Sequence, residues 1–530
     1  MMARTATQPW RLASTRWPAV TLVVLAAVGG LLASLAFAPI GWAPCAVLAV
    51  VVLGWCVRRA RGLGAALASG WAFGVAFMGT SLIWQTEILI LSYAGMTLAT
   101  SLVYVGVALA GFLTRDLRAW PIFGAAAWSL CEFVISVWPF DGFGWMRLGY
   151  TQLDTPLAGL YPLVGAAGVT FVVAALGQVL LALLEAPGWS TGSTVAWVLV
   201  AVLAAGAGGS LIRPTSDGEV AVGWVQGGAP GGGVYGLGPA RTITYNSRDE
   251  TAALMRRVDA GELPRPQFIA WPENSTDMDP RADVPTRAAV EEAVAVAGVP
   301  ILVGSIYEDV AAETRQTVAL WWTDAGADLT YAKRNLVPFG EWIPGRDLLL
   351  PLIPELRYVG AQSVPGTEPG SFPARLPDGR TVEVGVAICY EVIFPGTLYQ
   401  AVDAGAQVMI VQSSNAMYQG TNQIAQQFTA TRVRAAEMRR TIQVVTTSGV
   451  SGLIGPQGQV LRQAPDSVAA SGVDVLPLET TPATPAMRLQ SWLEYGLSLI
   501  AASGMVWGLS RRVAARRGGT MEGKSSPRRA

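Results

Sequence analysis

The sequence contains no histidine among its 530 residues. Ser-His-Asp triads, Cys-His dyads and histidine-ligated metal centres are therefore excluded, and acid–base chemistry must rest on Glu, Asp, Lys, Tyr or Cys. Charged residues make up only 14% of the chain. Soluble proteins carry about 25%, so much of this chain is not suited to water. The 37 basic residues are balanced by 37 acidic residues, which argues against a nucleic-acid partner.

The four cysteines, Cys45, Cys56, Cys131 and Cys389, show no paired spacing. This pattern predicts neither a disulfide framework nor a Cys-x-x-Cys metal site. The glycine-rich run 227–238 lacks the Lys-Ser/Thr pair of a phosphate-binding loop. We therefore expect no metal and no cofactor.

Long apolar stretches, each near the ~20 residues that cross a bilayer, fill the first part of the chain and recur near its end. The eight predicted membrane spans are residues 18–38, 41–57, 64–84, 91–113, 120–137, 157–184, 194–212 and 490–509. The first stretch could instead be a signal peptide, because Ala36-Phe37-Ala38 mimics a cleavage site. The proline that follows and the further spans favour an uncleaved anchor.

With eight spans, a set of flanking arginines falls on one side, which the positive-inside rule makes the cytoplasm. They are Arg4, Arg11, Arg16, Arg58, Arg59, Arg61, Arg115, Arg118, Arg511, Arg512, Arg516 and Arg517. The predicted organisation is a cytoplasmic N-terminus (1–17), seven spans (18–212), an extracytoplasmic domain (213–487), an eighth span (488–510) and a basic cytoplasmic tail (511–530).

The region 213–487 alternates short β-rich runs with amphipathic helical ones, which predicts a layered α/β domain large enough to bury its own core. The predicted strands are 219–226, 267–271, 300–305, 317–323, 381–388, 407–412 and 442–447, and the predicted helices are 247–260, 286–297 and 423–440.

Three residues of this domain are candidates for chemistry, and two of them, Cys389 and Glu273, stand where a predicted strand ends. Cys389 follows Val-Ala-Ile, Glu273 follows Ala-Trp-Pro, and Lys333 precedes the apolar, rigid segment Leu-Val-Pro-Phe-Gly. Active sites of open α/β sheets lie at such strand ends. Taken singly, each residue has an ordinary alternative: a buried core thiol, a solvated loop carboxylate and a surface lysine.

In the order Glu, Lys, Cys, these motifs resemble the nitrilase (carbon–nitrogen hydrolase) superfamily, which needs no histidine. With several spans before the domain and one after it, the whole chain resembles the apolipoprotein N-acyltransferase family, the membrane-embedded branch. The most specific motifs are Trp271-Pro272-Glu273, the segment 331–341 and Cys389-Tyr390-Glu391. The resemblance implies a polytopic α-helical membrane bundle that carries an α-β-β-α sandwich.

The resemblance also implies roles for the motif residues. Cys389 would be the nucleophile, Glu273 the general base, and Lys333 the cation that stabilises thiolate and oxyanion. The supporting residues would be Glu341, Tyr390 and Glu391. Glu341 would hold Lys333, and Glu391 would orient the turn that carries the thiol. Candidate substrate-binding residues are Tyr235, Asn415 and Tyr418, together with Leu349 and Leu352 of an apolar arm (348–354) that we expect to dip toward lipid.

The implied function is transfer of an acyl chain from a membrane phospholipid, through a Cys389 thioester, to the α-amine of an N-terminal S-diacylglyceryl-cysteine of apolipoproteins. The implied partners are the phospholipid donor, the lipoprotein acceptor and the bilayer, and the expected state is a monomer in the bacterial inner membrane. Two alternatives remain open: a membrane-anchored amidase or nitrilase using the same triad, and a non-catalytic transporter or sensor.

Overall fold

The computed structural model describes residues 17–186, 189–233 and 236–522. The predictions that concern Tyr235, residues 1–16 and the end of the basic tail lie outside these ranges. Within them, the chain divides into a bundle of apolar helices and an α/β domain, in the order that the sequence predicts.

The bundle is built from eight helices that follow the predicted apolar stretches closely. They are α1 (Ala19–Leu35), α2 (Pro44–Arg59), α3 (Leu63–Ser81), α4 (Ile90–Thr114), α5 (Trp120–Val137), α6 (Tyr161–Glu185), α7 (Trp189–Ser210) and α13 (Pro485–Glu522). Four of these segments are long and apolar enough to cross a membrane: Leu63–Ser81, Ile90–Thr114, Trp120–Val137 and Ala158–Glu185. Ala19–Leu35 and Ala196–Ser210 are shorter apolar helices. The chain is thus a membrane protein, but the predicted number of eight spans is not confirmed.

The α/β domain contains two β-sheets. In the order of the strands, the first sheet consists of β13 (Ala470–Glu479), β1 (Ser216–Gln226), β2 (Phe268–Ala270), β3 (Ile301–Asp309), β4 (Thr314–Thr323) and β5 (Gly326–Ala332), with β6 (Gln362–Ser363) paired to β4. The second consists of β12 (Val460–Gln463), β11 (Gly452–Ile454), β10 (Ile442–Thr446), β9 (Val408–Ser413), β8 (Thr381–Ile388) and β7 (Ser371–Arg375). All seven predicted strands are present, with ends that shift by a few residues.

The sheets pack face to face, and helices cover their outer faces. The helices are α8 (Thr242–Asp259), α9 (Val284–Ala297), α11 (Pro395–Asp403) and α12 (Asn422–Met438), while the short α10 (Arg346–Leu349) lies in the apolar arm. Alternate residues of the central strands, such as Val222 and Val384, form the core between the sheets because successive side chains of a strand point to opposite faces. Residues of α8 and α9 cover the first sheet. The predicted α-β-β-α order is therefore confirmed.

One continuous core joins the second sheet to the membrane bundle. It includes Val411 of β9, Val433 of α12, Phe73 of α3 and Val169 of α6, all at most 1% exposed. Helices α11 and α12 thus lie between the sheet and the bundle. The α/β domain therefore packs directly against the membrane helices through buried apolar surface.

A buried polar contact reinforces this junction. At Gly165 the backbone has a φ of 62° inside α6, a conformation that favours glycine. The next residue, Ala166, donates its N–H to Glu437 Oε1 of α12 at 2.6 Å. Glu437 also pairs with Arg434 at 3.2 Å. The two residues are therefore more than the simple helix-surface pair that their spacing favours.

Candidate active site

The three candidate catalytic residues come from both sheets. Cys389 directly follows β8, Lys333 directly follows β5, and Glu273 lies three residues after β2. The strand ends meet at one edge of the sandwich, so residues far apart in sequence come together there. Lys333 and Glu273 are 1% and 4% exposed, and the thiol-bearing residue is half-buried.

Lys333 lies between two carboxylates. Its Nζ donates to Glu273 Oε1 at 2.9 Å and to Glu341 Oε1 at 2.7 Å. Burial lowers the pKa of the Lys333 ammonium, but Glu273 and Glu341 outweigh burial and hold that pKa well above its usual value. Lys333 is therefore a permanent cation, and it can stabilise charge but cannot act as a base.

Glu273 is held on its other side by the backbone. The N–H of Ser414, in the loop after β9, donates to Glu273 Oε2 at 3.0 Å. Oε1 of the carboxylate thus faces Lys333, and Oε2 faces the loop that follows β9. This fixed orientation suits a group that must accept a proton from one direction.

Cys389 is a thiol in the resting protein. Burial and the Glu273 carboxylate raise its pKa to about 12, although Lys333 and a hydrogen bond from Gln427 act in the opposite direction. The residue has a φ of 53°, an unusual backbone conformation for a non-glycine residue and one found at functional sites. Attack by the sulfur therefore requires a base that takes the proton as the bond forms.

Glu391 joins the segment of Cys389 to the segment of Lys333. Its Oε2 accepts from Ile388 N at 2.7 Å. Its Oε1 accepts from the Tyr331 hydroxyl at 2.6 Å and from Arg334 N at 2.7 Å. Burial raises the pKa of this carboxyl, while the bonds from Tyr331 and the backbone act against that rise. Glu391 is thus a buried brace that sets the distance between the two segments.

Tyr390 belongs to the contact with the membrane bundle. Its hydroxyl donates to Gly142 O at 2.9 Å, in the connection between α5 and α6. Its ring stacks near Phe143 and Trp145, with centroids 6.5 and 6.4 Å away. The residue after Cys389 is therefore held by the membrane bundle.

The proposed substrate-binding residues differ in their positions. Asn415 is buried and donates to Gln427 Oε1 at 2.6 Å. Tyr418 packs edge-on against Trp84, with ring centroids 5.3 Å apart. Burial is the main cause that raises the pKa of its hydroxyl, and the nearby Cys389 and Glu273 raise that pKa further. Both residues thus lie near the sulfur. Tyr235 is outside the described residues.

The apolar arm is only partly exposed. Leu352 is 70% exposed, whereas Leu349 packs on a small cluster that contains Ile343 and Leu356. At the adjacent edge of the site, Phe339 contacts Phe140 of the α5–α6 connection with centroids 5.7 Å apart. Leu352 can contact lipid, while Leu349 is held within the arm.

Sequence reasoning missed two glutamines of α12 and two tryptophans. Gln426 Oε1 accepts from Trp84 Nε1 at 3.1 Å and from Trp145 Nε1 at 2.8 Å. Gln427 Nε2 lies 3.5 Å from Cys389 Sγ. A signal was available, because Gln423, Gln426 and Gln427 share one face of the predicted helix. Polar residues on a helix usually indicate a solvated face, and here that face is buried.

Two comparisons with known families cover most of the chain. Residues 29–179 match the family described as apolipoprotein N-acyltransferase N-terminal domain. Residues 263–473 match the carbon-nitrogen hydrolase family. The two matches divide the chain as the structure does, into a membrane bundle and an α/β domain.

Similar proteins carry the same name across several bacteria. The apolipoprotein N-acyltransferase of Mycolicibacterium smegmatis is 31% identical over 464 residues, which cover 83% of this chain and 77% of that protein. The apolipoprotein N-acyltransferase of Pasteurella multocida is 27% identical, over 90% of this chain and 93% of that protein. Among solved structures, an amidase from Nesterenkonia sp. covers 53% of this chain and 98% of its own, with 18% identity and a TM-score of 0.35.

Proposed function

Since this chain belongs to the apolipoprotein N-acyltransferase family, we propose that it N-acylates lipoproteins through a thioester on Cys389, with a membrane phospholipid as acyl donor. The observation that carries the proposal is the buried row Glu273–Lys333–Glu341, with contacts of 2.9 and 2.7 Å, beside the Cys389 thiol. This row supplies a base and a permanent cation without histidine.

In the first half of the reaction, Glu273 takes the proton of the Cys389 thiol as the sulfur attacks the ester carbonyl. The new S–C bond pushes an electron pair onto the carbonyl oxygen, and Lys333 stabilises the resulting oxyanion. When the carbonyl re-forms, the ester C–O bond breaks. Glu273 returns its proton to the oxygen of the departing lysophospholipid.

In the second half, the α-amine of an S-diacylglyceryl-cysteine attacks the thioester carbonyl. Glu273 takes a proton from the amine, and the tetrahedral intermediate collapses with loss of the Cys389 thiolate. The thiolate takes the proton back from Glu273, so the enzyme is regenerated and an amide is formed. All the groups come from one chain, so a monomer suffices.

For the membrane arrangement, we propose eight spans in the bacterial inner membrane, with the α/β domain on the extracytoplasmic side. Arg58 of α2 pairs with Glu185 of α6 at 2.7 Å, and its Nη1 donates to Arg115 O. Arg58 and Arg115 lie at the ends of α2 and α4, next to Glu185 at the end of α6, whereas the connection around Gly142 contacts the α/β domain at the other end. The positive-inside rule supports the proposed orientation.

The deciding experiment is mass spectrometry of the purified protein after exposure to phospholipid alone. We expect an acyl adduct on the peptide that contains Cys389, and its loss as an N-acylated product after addition of a diacylglyceryl peptide. Cys389→Ser should form no thioester, and Cys45→Ala, at a half-buried cysteine of α2, should react like the wild type. Release of free fatty acid without an N-acylated peptide would favour the amidase-like hydrolase, and no adduct at all would favour the transporter or sensor.

A further inference from the structure

A neutral hydrogen-bond donor lies against the candidate nucleophile. Gln427 of α12 is 4% exposed, and its Nε2 donates to Cys389 Sγ at 3.5 Å and to Ser413 Oγ at 3.0 Å. A sulfur acceptor permits a longer separation than oxygen. The roles proposed above for the Glu-Lys-Cys residues leave this amide without a function.

The direction of the Gln427 amide is fixed by its neighbours. Its Oε1 accepts from Asn415 Nδ2 at 2.6 Å and from Gln423 Nε2 at 3.0 Å. A flipped amide would place an N–H group against both of these donors, which cannot accept. With Asn415 and Gln423 oriented as they are in the structure, the Gln427 NH2 group therefore faces Ser413 and Cys389.

Asn415 is fixed in turn, so the donor is part of a rigid network. Its backbone φ is 58°, a left-handed conformation that asparagine tolerates better than most residues. Its Nδ2 also donates to Gln423 Oε1 at 2.9 Å. The network therefore holds the amide in place before substrate arrives, which is what electrostatic stabilisation requires.

We propose that Gln427 is a catalytic residue that donates a hydrogen bond to the Cys389 sulfur when the sulfur carries negative charge. The proposal rests on the thioester mechanism above and adds a second donor to it. The donor acts twice: it stabilises the thiolate that attacks the phospholipid ester, and the thiolate that leaves when the acceptor amine has added. Gln427 exchanges no proton, so the proton balance with Glu273 is unchanged.

Lys333 donates to two carboxylates, whose charges oppose its stabilisation of a thiolate. The neutral amide of Gln427 can donate a hydrogen bond to the sulfur and has no counter-ion that opposes this effect. A hydrogen bond to a charged group contributes enough free energy to raise the fraction of thiolate roughly tenfold or more. Part of this gain is lost because a stabilised thiolate is a weaker nucleophile, with a Brønsted slope of about 0.4–0.5. The net effect on attack should be about three- to tenfold.

The test compares two variants of nearly equal shape. Gln427→Met removes the donor and the acceptor, whereas Gln427→Glu keeps an Oε1 for Asn415 and Gln423 but replaces the NH2 group with a carboxylate oxygen. Thr429→Ala is the matched control on the same helix, because the Thr429 hydroxyl bonds only its own turn, to Ala425 O at 2.8 Å. All are full-length proteins with wild-type membrane helices, and thermal unfolding reports their folding.

Three rates are measured on each protein: iodoacetamide alkylation of Cys389 between pH 7 and 10, thioester formation with phospholipid, and loss of the thioester on addition of a diacylglyceryl peptide. We expect Gln427→Met to slow all three about three- to tenfold and Gln427→Glu to slow alkylation further, because its charge opposes the thiolate. If Gln427→Met does not fold, the neutral variant Gln427→Leu replaces it. Thr429→Ala should match the wild type.

Wild-type rates in a folded Gln427→Glu protein would overturn the proposal, as would a slowing confined to one half of the reaction. A purely structural role would change the thermal midpoint but would leave the alkylation rate of the folded Gln427→Met protein unchanged. Failure of the proposed function looks different, because the wild-type protein would then form no thioester on Cys389. The two failures are therefore distinguishable.

Discussion

The hydroxyl of Tyr390 donates a hydrogen bond of 2.9 Å to the backbone carbonyl of Gly142. This bond joins the residue after the candidate nucleophile to a connection of the membrane bundle. The separation of 248 residues means that the turn that carries Cys389 depends on correct docking of the two parts of the chain. The membrane bundle therefore contributes to the geometry of the site.

Replacing Tyr390 by phenylalanine should slow thioester formation by about tenfold, because one hydrogen bond near the sulfur is lost and the buried Gly142 carbonyl is left unpaired. The aromatic packing against Phe143 and Trp145 should persist, so the change in thermal midpoint should be small. Single-turnover mass spectrometry with phospholipid measures the rate. Tyr245→Phe, at a partly exposed tyrosine of α8, serves as the control and should have wild-type rates. An unchanged rate in Tyr390→Phe would show that the bond does not position the thiol.

Lys333→Met should reduce acyl transfer by at least about a hundredfold, because the oxyanion loses its cation. It should also destabilise the protein by about 3–5 kcal/mol, since the buried Glu273 and the partly buried Glu341 would lose their cation. Thermal unfolding in detergent and an N-acylation assay measure the two effects separately.

A second substitution separates stability from catalysis at the same site. In the double variant Lys333→Met, Glu341→Gln, one of the two unpaired carboxylates is removed. We expect part of the lost stability to return while activity stays low. Recovery of activity would mean that the Lys333 charge is not needed for the reaction.

The reactivity of Cys389 should rise steeply with pH. Since burial raises the pKa of the thiol to about 12, the thiolate fraction should increase about tenfold per pH unit from pH 7 to 10. Alkylation rates of the Cys389 peptide, followed without substrate, should show this slope with no plateau. A plateau near pH 9 would contradict the expected effect of burial. Cys389→Ser identifies any signal from the other cysteines.

Gln426→Leu should weaken the attachment of the α/β domain to the bundle. It removes the acceptor for the Trp84 and Trp145 indoles and the donor to Ser81 O, a bond of 3.0 Å. Leaving such buried groups unpaired costs roughly 3 kcal/mol in total. We expect a lower thermal midpoint and a change in tryptophan emission.

Two comparisons give the Gln426 prediction its control. Gln426→Glu keeps an acceptor for the indoles and should be milder than Gln426→Leu. Gln457→Leu, at an exposed turn position, should leave both the thermal midpoint and the emission unchanged. Equal effects of the Glu and Leu variants would mean that the indole bonds contribute little to the attachment.

Elements with a strong periodic pattern could be predicted from the sequence. The strand predicted at 381–388 is β8, and the span predicted at 120–137 is α5. The strands that were missed, β5, β6, β7, β11, β12 and β13, lie toward the edges of the two sheets or, for β6, off the main strand order. Several are short or carry polar residues, and β13 contains Pro477. Their pairing with partners distant in sequence, such as β1 with β13, compensates for weak local preference.

The same distinction holds at the site. Cys389, Glu273 and Lys333 could be proposed because each lies in a recognisable motif at a strand end. Gln426 and Gln427 were missed because an amide carries no motif, and the helix face that they share with Gln423 has the pattern of a solvated face. The bond from Trp84 to Gln426 spans 342 residues, and no local pattern indicates it.

The sequence by itself limited the class of chemistry and indicated the environment: without histidine, acid–base chemistry must use Glu, Asp, Lys, Tyr or Cys, and apolar stretches of this length indicate a bilayer. Tertiary structure alone decided which polar groups surround the sulfur and how the α/β domain sits on the membrane helices. The physical reason is that acid–base capacity and hydrophobicity belong to residues, whereas hydrogen-bond distances and burial arise only when distant segments pack together.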